Sequence, residues 1–307
     1  MANESVARVA TRAGLDLNDL IAWDCDTLIS EPEYQRVLTH PRRHAAMRAI
    51  PRSTLDAAAA DRTLMGIFKD GGRYACAMWA IHLHVSGGLT LQSLKDLCAA
   101  SGLLSPGRAR AVLLFMRYLG YIEPARTRTG GSQAFVPTQR CYASWTTHMR
   151  MALEAAAEIE PQVRAVIDHI DDPDIFAIVA RTQGDSLFQA VKGYDLDRPH
   201  FRVFINRHAG TLVMADLLTS VGNGAGDAEF PPRTVAASSQ REFSKRYAVS
   251  RVHISRMLKH GEREGILTLD DGHIRLADAF RAEIEQDYGR QVRHLLLSAA
   301  RAARRLR

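Results

Sequence analysis

The chain has 307 residues, of which 46% are hydrophobic and 24% charged, with a formal net charge of +6. That length holds two or three domains, and the composition is that of a globular protein with a packed core. No apolar run approaches the ~20 residues of a membrane span. The first apolar stretch is broken by Arg8, Arg12 and Asp16, so it does not read as a signal peptide. Four cysteines (25, 76, 98, 141) lack any C-x-x-C pair. The expectation is a cytoplasmic protein with reduced thiols and no membrane contact.

Charge is unevenly placed. Residues 154–185 hold eight acids and two arginines, whereas 288–307 hold six arginines and no acid. The balance favours an anionic partner, and weakly so.

Residues 1–72 read as an N-terminal helical segment, with short amphipathic pieces at Val6–Ala10 and Leu17–Ile21. His40, Arg42, Arg43, His44 and Arg48 form a basic cluster whose plainest reading is a solvated loop. Ser53 to Lys69 predicts another helix, ended by Asp70-Gly71-Gly72. From Arg73 to Val85 a buried helix is expected, with Tyr74, Met78, Ile81 and Val85 inward. His82 and His84, two apart, point in different directions and do not suggest a shared metal.

Thr90 can cap a helix carrying Leu91, Leu94, Leu97 and Cys98, and Ser105-Pro106 can start a second. Gly120 ends that helix. A hairpin follows from Tyr121 to Pro137, with Arg126 and Arg128 beside the tip Gly130-Gly131. The run 111–116 is apolar all round, which predicts a second buried face on the helix. Long helical patterns then cover Cys141–Ile159 (Trp145, Met149, Ala152, Leu153, Ala156) and, after Pro161, Val163–Ile170. Asp171-Asp172-Pro173-Asp174 reads as helix capping, because it lacks the alternation and glycine of a calcium loop. Ile175–Val191 and Phe201–Val221 supply further apolar helices, and 222–227 is the clearest linker.

The most informative stretch is 238–277. Ser239 and Glu242 make an S-x-x-E box that starts a helix at Gln240, with Phe243 and Tyr247 on one face. Ser250 caps a second helix on which Ile254, Met257, Leu258 and Gly261 form one buried stripe. Gly265 ends it. The runs 266–269 and 273–276 flank Asp270-Asp271-Gly272 as a hairpin. An offset of 145 carries Gly120 onto Gly265, Ser105 onto Ser250 and Leu113 onto Leu258, so the plan occurs twice.

The run Val249-Ser250-Arg251 to Ile254-Ser255-Arg256, with Leu258 and Glu264-Gly265-Ile266-Leu267, resembles the winged helix-turn-helix pattern shared by MarR, Crp and GntR regulators. It covers about forty residues and supports the superfamily rather than one family. The fold class it implies is mostly α, with two winged helix-turn-helix domains joined by helical segments. The corresponding division is 1–72, a first winged helix at 73–140, a helical connector at 141–221, a linker at 222–232, a second winged helix at 233–277, and a C-terminal helix with a basic tail at 278–307.

With the apolar stripe inward, Arg251, Val252, Ser255, Arg256 and Lys259 fall on the outer face as candidate base readers of double-stranded DNA. Arg241, Lys245, Arg246, His253, Arg126 and Arg128 are candidate phosphate contacts. The first copy has Pro106, Gly107, Arg110, Ala111 and Leu114 at the reading positions, and this loss of cations marks it as a packing or dimerisation module. In MarR-like regulators the helix after the wing joins the dimer interface. The resemblance therefore implies that Phe280, Ile284, Tyr288, Val292, Leu295 and Leu296 form a homodimer seam, with 301–307 as an electrostatic tail.

No nucleotide-binding, metalloprotease, hydrolase or paired-cysteine zinc pattern occurs, and neither an enzyme nor a cofactor is expected. The leading expectation is a dimeric transcriptional regulator. The alternatives are a plasmid- or phage-type replication initiator and a protein–protein adaptor that binds no DNA. No polar constellation marks a pocket for a small effector.

Overall fold

Side chains that cap helices determine most of the chain's punctuation. In the computed structural model, which describes residues 30–129, 132–193, 195–220, 229–236, 240–270 and 272–306 (side chains 127–129 and 236 excepted), Ser30 caps α1 (Glu31–Thr39). Helix α2 (Arg43–Ala60) passes through Pro51 and stops at Asp61, whose carboxylate caps α3 (Arg62–Phe68). Asp70 then accepts from Arg73 N and opens α4 (Gly71–Val85). Thus Asp70-Gly71-Gly72, expected to end a helix, begins one, and the expected helix 53–69 is two helices meeting at Asp61.

Two units of one plan follow. The first is β1 (Leu89–Thr90), α5 (Leu91–Ser101), α6 (Pro106–Tyr118), β2 (Ile122–Thr129) and β3 (Ser132–Pro137), in sheet order β1-β3-β2. Thr90 and Ser93 form a capping box on α5, and Ser105 caps α6. Between the units lie α7 (Gln139–Ala157), a 3-10 turn at Pro161–Val163, α8 (Arg164–Ile167), α9 (Pro173–Gly193), a π-helical turn at Phe201–Ile205, and α10 (Gly210–Thr219). The second unit is β4 (Thr234–Ala236), α11 (Gln240–Tyr247), α12 (Arg251–Arg263), β5 (Leu267–Asp270) and β6 (His273–Leu276), in order β4-β6-β5. Helix α13 (Asp278–Ala303) comes after it.

The offset of 145 holds in detail. Helices α6 and α12 have 13 residues each. Gly120 and Gly265 sit at φ 72° and 69°, where only glycine is unstrained. Tyr121 N donates to Met116 O and Ile266 N to Gly261 O, both at 2.9 Å, which closes each helix in the same way. Strands β1 and β4 coincide under the same offset and are additions to the expected plan. Each is too short to show an alternating pattern.

Three expectations change. The apolar run of α6 has one buried side (Val112, Leu113, Met116), while Leu114 is 46% and Tyr118 85% exposed. The second buried face is absent because, among the described residues, no element covers it. The stretch 201–221 is no continuous helix. It breaks at Arg207-His208-Ala209, where Ala209 takes φ 62°, and a Cβ on Gly210 would lie 2.0 Å from Phe204 O. Finally, the six apolar residues of α13 expected at a dimer seam are buried by the chain itself, against α9, α7, α1 and α2.

The basic cluster near residue 42 is no loop: it leads into α2 and makes surface contacts with distant parts of the chain. Arg42 pairs with Glu158, Arg43 with Glu285 at 3.5 Å, and Arg48 donates to Glu229 O at 2.9 Å. Likewise two of the scattered cysteines meet: Cys76 and Cys98 are both fully buried, with their sulfurs 3.8 Å apart.

Candidate nucleic-acid interface

Helix α12 projects from the second unit on a rigid base. Its first turn is fixed by Ser250 Oγ, which accepts from His253 N at 3.1 Å, and contains no acid. The turn from α11 is held by Ser244 Oγ donating to Val249 O at 2.6 Å, with Ala248 at φ 49°. Ile254, Met257, Leu258 and Gly261 are buried, and Phe243 and Tyr247 of α11 face the same core. This leaves Arg251, Val252, Arg256 and Lys259 exposed on one side, with Ser255 half-buried beside them. Val252 is 57% exposed.

Electrostatics sharpen that face. Among the described residues, no hydrogen bond or ion pair engages the side chains of Arg251, Arg256, Lys259, Arg241 or Lys245. The acids at the far end of α12 have partners other than these cations. Glu262 accepts from Leu269 N at 3.2 Å, and Glu264 pairs with Arg202 at 2.5 Å and His260 at 3.2 Å. The bond from Arg202 holds Glu264 below the usual carboxylate range. What remains outward is a cationic strip near a helix N-terminus, which suits phosphate and guanine edges.

Two expected phosphate contacts are engaged elsewhere. Arg246 pairs with Asp216 of α10, which also accepts from Tyr247 Oη at 2.7 Å. Burial and the Asp216 charge push the Tyr247 hydroxyl well above the ordinary phenol range, so it stays a donor. His253 meets His208 O through Nε2 at 2.7 Å and leans on the turn before α10. Neither pairing was foreseeable from the helix phase. The signal for Asp216 was present as the one acid in the apolar run 212–218.

Arg126 is exposed on β2 of the first unit, whereas the Arg128 side chain, the tip Gly130-Gly131, Ser239, the linker 222–227, Asp271 and Arg307 lie outside the described residues. Pro106, Gly107, Arg110, Ala111 and Leu114 are all exposed, and Arg110 alone supplies a cation at a position matching the α12 strip. On the C-terminal tail, Arg305 pairs with Asp174 at 2.6 Å and Arg301 is exposed.

Arg108 of α6 donates to Asp70 at 3.1 Å, the residue that also caps α4.

The fold is mostly helical with two small antiparallel three-stranded sheets, and among the described residues no helix is long and apolar enough to cross a membrane. No known protein family, curated protein or solved structure matches the chain.

Proposed function

We propose that the chain is a cytoplasmic, sequence-specific regulator of transcription that binds double-stranded DNA as a homodimer through tandem winged helices. The second unit reads the major groove with Arg251, Val252, Ser255, Arg256 and Lys259. Arg241 and Lys245 contact phosphates, and Arg126 approaches the backbone from the first unit. The observation that carries this reading is the cationic strip on α12, where Arg251, Arg256 and Lys259 are exposed on one side and find no partner among the described residues. A solvated surface helix would gain by pairing those cations with nearby acids, yet here Glu262 meets Leu269 N and Glu264 meets Arg202 and His260 instead.

Selection of bound sites from a random duplex pool, with an Arg251→Ala/Arg256→Ala double variant alongside, tests it. A palindromic motif lost in the variant is expected, since two half-sites supply the specificity that one short helix lacks. Wild type and variant binding alike, with no motif, would remove the assignment. Arg256→Ala alone should cost about 1–3 kcal/mol of specific affinity and relax preference at one base.

A second reading, a plasmid- or phage-type replication initiator that dimerises through its first unit, is favoured by the exposed Leu114 and Tyr118 of α6. Recovery of direct repeats instead of a palindrome would support it.

A further inference from the structure

The helices around α13 line a partly open cavity of about 280 Å³ whose wall is mainly apolar and includes Phe68, Met78, Leu187, Met214, Ile284 and Leu295. Four of the lining residues carry a buried polar atom that makes no hydrogen bond within the described chain: His148 Nδ1, Gln183 Nε2, Thr211 Oγ1 and His294 Nδ1. These come from α7, α9, α10 and α13, which are remote in sequence, so only the folded arrangement brings them together. A buried polar atom without a partner destabilises a fold, and the four residues that carry these atoms all line one cavity, so its lining combines apolar side chains with residues whose hydrogen-bonding capacity is unused.

The wall also defines what guest it suits. Burial lowers the pKa of His148 to about 4, and burial with the Arg293 and Arg290 charges lowers that of His294 to about 4. Both rings are therefore neutral near pH 7. The buried Tyr74 hydroxyl has His148 Nε2, at 3.3 Å, as its one hydrogen-bond partner among the described residues. With Tyr74 donating there, the His148 proton sits on Nδ1, which makes that unpaired nitrogen a donor. The charged groups on the wall are committed: His200 to Glu283 at 3.2 Å, and Asp287 to Arg290 at 2.8 Å and Arg198 at 3.7 Å. An apolar cavity of about 150 Å³ holds benzene, so this one holds roughly twice as many atoms, about the size of two fused rings.

The same wall supports the reading helix. Thr211 and Met214 lie on α10, which anchors α11 through Asp216, while Phe201 and Ile205 belong to the π-helical turn. Arg202 of that turn pairs with Glu264. Just after it, Arg207 meets His260 at 2.9 Å, and His208 O meets His253 at 2.7 Å.

We propose that this cavity binds a neutral, apolar molecule of two-ring size bearing a hydrogen-bonding group, and that occupancy is relayed through residues 201–209 to α12. The relay rests on the DNA-reading assignment, whereas the binding site does not.

The test titrates the full chain by calorimetry with indole, quinoline and 2-naphthol, and with 2-naphthalenesulfonate as a charged molecule of like size. At least one neutral probe should bind below about 1 mM, and the sulfonate at least about tenfold more weakly. Ala190→Phe should fill the cavity and abolish binding. Thr211→Val and His294→Phe, which are closer in shape and keep the test alive should Ala190→Phe not fold, should each weaken binding by up to about tenfold. No binding of any neutral probe, or binding indifferent to all the variants that fold, overturns the proposal.

Hydrogen exchange and DNA affinity with and without the probe separate the two halves. A probe that slows exchange at 201–209 and 251–263 in a chain that binds no duplex keeps the cavity and removes the DNA reading. DNA affinity unchanged by a bound probe removes the relay. Selective DNA binding with no probe bound removes the cavity alone.

Discussion

Lys245 and Arg246 are neighbours on α11 with different roles, and the difference is measurable. Lys245 is exposed and unpaired, so Lys245→Ala should lower the slope of log affinity against log salt by about one and leave stability unchanged. Arg246 holds Asp216, so Arg246→Ala should cost about 1 kcal/mol in urea denaturation, with the salt slope unchanged. Residue order and helix phase assigned both to phosphate, because a charge's partner 30 positions away leaves no periodic trace. His148 and His294 show the same gap, each one imidazole on an apolar helix face until folding brings them to one cavity. Their titration has a definite sign. Each folded pKa, about 4, lies below the unfolded 6.5, so between those values only the unfolded chain takes up the proton. The stability they contribute is full above pH 6.5 and is lost as pH falls toward 4. At about pH 5, His148→Phe and His294→Phe should each reduce proton uptake on unfolding by about one, read from the pH dependence of urea stability.

At the scale of elements, α12 depends on its two ends. Ser250→Ala removes the acceptor for His253 N, and Gly265→Ala forces a Cβ onto φ 69°. Each should cost about 1 kcal/mol while leaving the outward cations in place. Stability and specific binding at low temperature then separate, the first falling and the second holding. These ends were legible because a cap and a stop are local, and so were the buried stripe and the duplication at 145. The strands β1 and β4 were not, since two or three residues carry no alternation. The outer face of α6 was misjudged for another reason. Periodicity reports which residues are apolar, but it does not report whether the same chain supplies something to cover them, and among the described residues nothing covers Leu114 and Tyr118.

At the scale of the whole molecule, α13 ties the fold together. It packs on α1, α2, α7 and α9, and Arg281 reaches Pro231 O at 3.1 Å and Glu229 at 2.5 Å, ahead of the second unit. Leu296 is fully buried there, and Leu296→Ala should cost about 2–5 kcal/mol. Circular dichroism and tryptophan fluorescence should report the same transition, since Trp79 and Trp145 belong to the core that α13 covers. The apolar face of α13 was legible, but its partner was not. A face engaged by its own chain cannot also be a dimer seam, so subunits that pair must do so through another surface, and the exposed face of α6 is available.

The place of α13 in chain order also bears on synthesis. Every helix it covers emerges from the ribosome before it, and the cavity wall that includes Ile284, Leu295 and His294 does not exist until it is made. A nascent chain ending near residue 277 would already carry the cationic strip of α12, but with α7 and α9 uncovered. Such a chain would be exposed to chaperones and proteases for the seconds that translation of the next 26 residues requires.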